Sequence, residues 1–273
     1  MKTVQLLISG SLVALGAVGL SSTACDQPLT RCYTSSDYIV TYTKLEGPSS
    51  CDALTGEKYY LGPYFAKTDK YFPNSPDFND ITVGIRPAAI GNLYARAEEQ
   101  GVAPLPEFKS TNAIGKFGTV RPDPEGFCTI PTLTQAVATF PEIPEVPAVP
   151  ATDDSPGSPA VPGIPATTLN YEFTNFRLWV RADAVGVVWQ SDVTRTETVN
   201  GTATTCKYKA YGLSPPHSCD DGTGQPNEKE CEAAPDPDAG RFFGSGINVD
   251  FKVKCDPVLL TCVPATDAFP PLN

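Results

Sequence analysis

Residues 187–213 read VVWQSDVTRTETVNGTATTCKYKAYGL, two runs of alternating apolar and polar residues joined by Asn200-Gly201. In the first run Val187, Trp189 and Val193 fall on one side against Val188, Gln190, Asp192 and Thr194. In the second, Cys206, Tyr208 and Ala210 alternate with Lys207 and Lys209. A period of two is the signature of a strand with distinct faces, and Asn-Gly is the dipeptide best suited to a two-residue hairpin turn. Phe176, Leu178 and Val180 continue the same pattern upstream, so residues 171–213 read as a three-strand meander.

Outward from this meander the chain keeps the same character. Tyr38–Leu45, Lys58–Phe65 and Ile81–Ile85 read as strands, and Ala113–Val120 and Phe127–Leu133 as a further pair. Ile247, Val249, Phe251, Val253 and Cys255 alternate against Asn248, Asp250, Lys252 and Lys254, which predicts a strand near the C-terminus. One helix is expected after Pro87, with Ile90, Leu93, Tyr94 and Ala97 on one face and Gly101 as its stop. With 28 prolines and 22 glycines among 273 residues, turns are frequent and long helices disfavoured. The expected class is all-β, a mainly antiparallel sandwich or two packed sheets with one short helix.

The N-terminus carries an address. Lys2 is followed by an apolar run, Leu6 to Leu20, too short to span a bilayer, and then by Ser22-Thr23-Ala24-Cys25. This segment resembles the signal peptide of bacterial lipoproteins, with Ser22 standing where that pattern prefers Leu, Val or Ile. The resemblance implies removal of residues 1–24, lipidation of Cys25, and an exported protein held in the cell envelope with the lipid bilayer as its first partner. Ser22 and Ala24 also suit the peptidase of ordinary secretory signals, which would leave Cys25 unmodified. Residues 25–37 would follow as a lipidated tether, 38–140 as an N-terminal β half and 166–273 as a Cys-rich C-terminal β half.

Cysteine usage agrees with export. Nine cysteines are many for a reduced compartment, and the count is odd. Setting Cys25 aside leaves Cys32, Cys51, Cys128, Cys206, Cys219, Cys231, Cys255 and Cys262 for four disulfides of open connectivity. Three of these precede residue 141 and five follow residue 165, so at least one bridge must join the halves if all pair within the chain. Zinc is disfavoured because no Cys-x-x-Cys pair occurs and His217 is the only histidine.

Between the halves, proline falls at 141, 144, 147, 150, 156, 159, 162 and 165, every third residue, with Asp153 breaking the series. Polyproline II has three residues per turn, so the rings line one edge of an extended arm. The polar middle, residues 151–158, carries turn chemistry, so the segment is either a straight spacer or two arms folded back. Ile143, Val146, Val149, Val161 and Ile164 are its candidate partner-docking strip.

Charge and motifs narrow the function. The formal net charge is −11, and loss of Lys2 with the signal makes the mature chain slightly more acidic, which repels nucleic acid. No Gly-x-Ser-x-Gly elbow occurs, and His217 lies in a proline turn beside a cysteine. Gly222-Thr223-Gly224 and Gly244-Ser245-Gly246 lack the strand-to-helix context of a phosphate loop. Asp220, Asp221, Asn227 and Glu228 surround glycines and are candidate calcium ligands, although their spacing is not that of an EF-hand. The expectation is a non-catalytic envelope protein that binds another envelope protein or a surface glycan, without a required cofactor. A paired-carboxylate glycan hydrolase and a calcium-dependent adhesive module are the alternatives.

Overall fold

The computed structural model describes residues 31–102, 111–150, 156–180, 186–266 and 269. The signal segment and Cys25 lie outside the described residues. The meander forms as expected. β8 (Val187–Val199) and β9 (Thr202–Ser214) pair antiparallel from Val199↔Thr202 to Val187↔Ser214. Asn200 and Gly201 turn between them at φ values of 48° and 81°, the left-handed pair that a primed turn needs and that Asn and Gly tolerate best.

Nine strands form one sheet. β1 (Ser36–Glu46), β2 (Gly56–Thr68), β3 (Ser75–Pro87) and β4 (Ala113–Lys116) come from the N-terminal half. β5 (Phe127–Ile130) and β6 (Ala136–Phe140) both pair with β7 (Thr167–Trp179). The order is β4-β3-β2-β1-β9-β8-β7-β5, so the pairing of β1 with β9 merges the two halves into one sheet. The free edges then approach each other: Gly115 bridges Leu133, Thr134 N donates to Ile114 O at 2.9 Å, and Gly118 N donates to Thr129 O at 2.9 Å. The result is a nearly closed antiparallel sheet wrapped around its own core, which leaves few unpaired strand edges.

That core is aromatic. Trp189, fully buried, has ring centroids of Phe176, Tyr59 and Tyr38 at 5.4, 5.6 and 6.4 Å. Along β7 the inward residues are Leu169, Tyr171 and Phe173, then Phe176 and Leu178. The change from odd to even positions follows from a bulge between Thr174 and Arg177, where Asn175 takes a φ of 54°.

The outer face of β1, β7, β8 and β9 is also covered. Ile39, Trp179, Val188 and Leu213 pack against a C-terminal knot containing Cys219, Cys231, Phe251, Cys262 and Val263. This explains why Val188, on the polar side of the sequence alternation, is buried. Within the knot the expected strand over 247–255 is shortened to β10 (Val253–Asp256), paired with β11 (Thr261–Pro264). Upstream, Asp250 N donates to Asn248 Oδ1 and Phe251 N to Asn248 O, so the chain turns, burying Ile247 and Phe251 and leaving Val249 80% exposed. The turn-forming Asn248 side chain overrides the alternation.

The single helix, α1 (Ala88–Glu99), starts where expected, with Pro87 at the N-cap and Ile90 and Ala97 buried. Among the described residues no helix is long and apolar enough to cross a membrane.

The eight cysteines pair as Cys32–Cys128, Cys51–Cys206, Cys219–Cys255 and Cys231–Cys262, with Cα separations of 5.5 to 5.8 Å. Cys51–Cys206 is the bridge between halves that the cysteine distribution required. Cys32 is fully buried and bridged to Cys128, so the folded part begins before residue 37. Cys51–Cys206 closes a loop of 155 residues, and in the chain-entropy picture its replacement by two alanines costs about 3–5 kcal/mol. Urea unfolding should show a lowered midpoint with the native circular-dichroism spectrum retained before the transition.

Candidate functional site

The strand directions give the barrel two distinct ends. At one end lie α1, the Asn200-Gly201 turn, Cys51–Cys206 and the start of β7. At the other lie the β2–β3 tip, Cys32–Cys128 and the point where the N-terminal segment enters. The proline segment belongs to the first end, because it connects β6 to β7 there.

It is folded back. Ile143 pairs with Ile164, Val146 with Val161, and Val149 with Ser158, each pair exchanging two backbone hydrogen bonds of 2.8–2.9 Å. The pairing residue is always the one before a proline, which sterics push to extended backbone. Proline has no N–H, so only two residues in three can donate, and a three-residue turn brings the same one of them toward the opposite arm each time. Residues 151–155, between the two arms in sequence, lie outside the described residues. Gly163 permits the close approach, since a Cβ there would lie 2.9 Å from Ile143 O and 3.0 Å from Glu145 N.

This arrangement divides the candidate docking strip. Ile143 is fully buried and joins the barrel core, and Ile164 packs against that core. Val146 is half-buried, while Val149 and Val161 are 57% and 39% exposed. Only the outer half of the strip is exposed, along with the proline edges. Arg96 of α1 reaches the returning arm, its Nη2 donating to Val161 O at 3.4 Å.

Beneath α1 sits a polar cluster that the sequence reading did not pick out. Glu57 Oε1 accepts from Tyr42 Oη at 2.7 Å and Tyr171 Oη at 3.0 Å, and its Oε2 accepts from Ala89 N at 3.2 Å. Tyr42 and Tyr59 share a hydroxyl–hydroxyl bond. Arg195 donates through Nε to Tyr171 Oη and through Nη1 to Glu197, both at 3.0 Å. Pro87 offers no side-chain cap to α1, so Glu57 supplies the acceptor from a neighbouring strand, where its charge also faces the positive end of the helix. Burial raises the Glu57 carboxyl above its ordinary value, opposed by the bonds from Tyr42, Ala89 and Tyr171 and by the nearby Arg195 charge. Burial likewise raises the Tyr42 and Tyr59 hydroxyls well above 10, which keeps them donors at neutral pH. The signal that could have found Glu57 is its phase: it shares the inward face of β2 with Tyr59 and Leu61.

The acidic loop of the knot is organised by its own backbone. Asp220 Oδ1 accepts from Gly222 N and Gly224 N, and Asp221 Oδ1 from Thr223 N, Thr223 Oγ1 and Gln225 N. Asn227 Oδ1 accepts from Lys229 N at 3.2 Å, and Glu228 Oε2 from Cys255 N at 2.7 Å. Among the described residues, Asp220, Asp221 and Glu228 do not bring carboxylate oxygens within 4.8 Å of one another; the group of Cys, His, Asp or Glu that does converge is Cys219, Cys231 and Cys262. Those sulfurs belong to two neighbouring disulfides. His217 lies in the connection from β9 to the knot, its carbonyl accepting from Cys262 N at 2.8 Å.

A family profile described as MlpA matches residues 36–215, about two thirds of the chain. The chain belongs to the MlpA family. The matched span begins at β1 and ends as β9 leaves the barrel, so it covers the barrel and the proline hairpin and stops before Cys219. A Myxococcus xanthus protein named "Putative lipoprotein MlpA" is 27% identical over 274 residues, covering 96% of each chain. No solved structure matches.

Two substitutions test this end of the molecule. A raised carboxyl makes the folded state bind a proton more readily than the unfolded chain, so the Glu57 contribution is fully present below its ordinary value of 4.5 and is lost as pH rises through the folded value. Melting temperatures compared across that window should fall with rising pH more steeply for the native protein than for Glu57→Gln. Gly163→Val should part the proline arms, seen as faster amide exchange at Ile143 and Ile164 with the β8–β9 amides still protected.

Proposed function

We propose that this protein is a lipid-anchored component of the bacterial envelope that works by binding, presenting the proline hairpin to another envelope protein or surface glycan. The observation that carries the anchor is the cysteine pairing. All eight cysteines after Cys25 are joined to one another, so none of the four bridges calls on the cysteine of Ser22-Thr23-Ala24-Cys25, which stands at the position a lipoprotein signal reserves for acylation. The lipoprotein name of the Myxococcus xanthus relative supports the same reading.

Binding through the hairpin is supported by its construction. Two extended arms tied by their own hydrogen bonds have little conformational entropy left to lose when a partner docks. Their outer edges carry proline rings and the exposed Val149 and Val161, while the root is fixed by Ile143 in the core and Arg96 of α1 holds the backbone of the returning arm at Val161.

Intact mass of the protein extracted from its native membrane should begin at Cys25 with a diacylglycerol and acyl increment, and thiol alkylation should add eight groups only after reduction. An unmodified N-terminus with a free ninth thiol would overturn the anchor. For the hairpin, photo-crosslinking residues placed at Val149 and Val161 in intact cells should yield a discrete adduct, and one at buried Ile143 should yield none. Failure at both outer positions would remove the hairpin from the binding role.

A further inference from the structure

We infer that the barrel end opposite the proline hairpin lies against the lipid bilayer, with an aromatic rim seated among the headgroups. The inference rests on the acylation of Cys25 and extends it from a flexible leash to a second, direct membrane contact.

The rim is built where the chain enters the fold. Arg31 donates to Phe78 O and holds its guanidinium 5.9 Å from the Phe78 ring centre. Phe78 meets Phe65 edge-on at 5.1 Å, and Phe65 stacks with Tyr33 at 6.0 Å. Arg31, Tyr33, Phe78, Ile81 and Val180 surround an apolar depression of about 350 Å³. At the adjoining β2–β3 tip, Tyr71 and Phe72 are 63% and 61% exposed. Exposed aromatics gathered on one end, beside an apolar depression, call for a covering partner.

The covalent tether names that partner. Arg31 is six residues after Cys25, so an extended connection reaches roughly 20 Å from the acylated residue. Cys32, the next residue, is buried and bonded to Cys128, so the tether gains no further slack. The rim therefore cannot leave the neighbourhood of the headgroups, whereas the far end is a thirteen-residue strand away, about 40 Å along the sheet.

Tyr and Phe with basic neighbours suit the polar–apolar boundary of a bilayer. Arg31, Lys67 and Lys70 place basic side chains among these rings, and Lys70 lies 5.4 Å from the Tyr71 ring centre. Of the nearby acids, Asp80 is paired with Lys116 at 2.7 Å, while Asp69 and Asp77 accept from the backbone N–H groups of Asn74 and Asn79 and keep their charge on the polar side of the rim. Seating the rim directs the proline hairpin away from the membrane.

The test uses the full acylated chain carrying Phe72→Trp, reconstituted in phosphatidylethanolamine–phosphatidylglycerol vesicles with and without brominated acyl chains. Trp179 and Trp189 are buried and serve as the unquenched background. Brominated lipid should quench the new indole, and adding Lys70→Glu with Tyr71→Ser should abolish that quenching while the protein stays on the vesicles. Lengthening the tether with Gly-Ser residues should leave quenching intact, because the rim itself makes the contact. An acylated protein whose new indole is unquenched, or is quenched only with the short tether, overturns the docking and leaves the anchor standing. A protein without the acyl mass overturns the anchor and the docking together.

Discussion

A sheet of nine strands keeps two open edges unless something inside draws it round, and here that work falls to aromatic packing around Trp189. Its indole lies over Gly212 of the adjacent strand, where any side chain would collide with it. Tyr38, Tyr59 and Phe176 meet it from β1, β2 and β7. One ring thus touches both halves of the chain, and the sheet bends toward it until β4 reaches the β5–β6 segment. Burial of large rings in edge-to-face and stacked contacts is among the stronger local stabilisers available to a β core.

The disulfides act on this closed sheet at different places. Cys51–Cys206 ties the helix end and Cys32–Cys128 ties the entry end, while Cys219–Cys255 and Cys231–Cys262 hold the knot that covers the outer face of β1, β7, β8 and β9. Staples placed this way limit opening of the sheet from either end, which suits a protein exposed outside the reducing cytoplasm. Glu57 adds a different constraint, a carboxylate lent from β2 to the first turn of α1 and hydrogen-bonded by tyrosines on β1 and β7. Because α1 also holds the proline hairpin through Arg96, the polar cluster and the projecting arms form one mechanical unit.

The proline hairpin shows how an irregular composition becomes an ordered element. A β-ladder needs donors at closely spaced positions and cannot carry proline every third residue. A threefold extended arm can, because the residue returning to the facing side on each turn is never the proline. The same periodicity hides part of what it presents, since the residues that pair are, apart from Ser158, the apolar ones that a reading by composition assigns to a partner.

Elements whose information is local were legible from the sequence alone. The hairpin at Asn200-Gly201, the strands β1 to β3, the helix after Pro87, the proline period and the need for a bridge between the halves all follow from neighbouring residues or from counting. Tertiary structure decided what depends on distant partners: that β1 joins β9, that the sheet closes on itself, that the arms fold back, which cysteines pair, and that Glu57 meets Ala89 and Tyr171. The strand expected at 247–255 gave way to an Asn248 turn because that side chain offers the local backbone its own hydrogen bond. The aromatic rim escaped notice for the same reason. Phe65 and Phe78 are ordinary strand residues and Tyr33 lies in the segment before β1, and only the antiparallel pairing of β2 with β3, together with the entry path through Arg31, brings them to one end of the barrel.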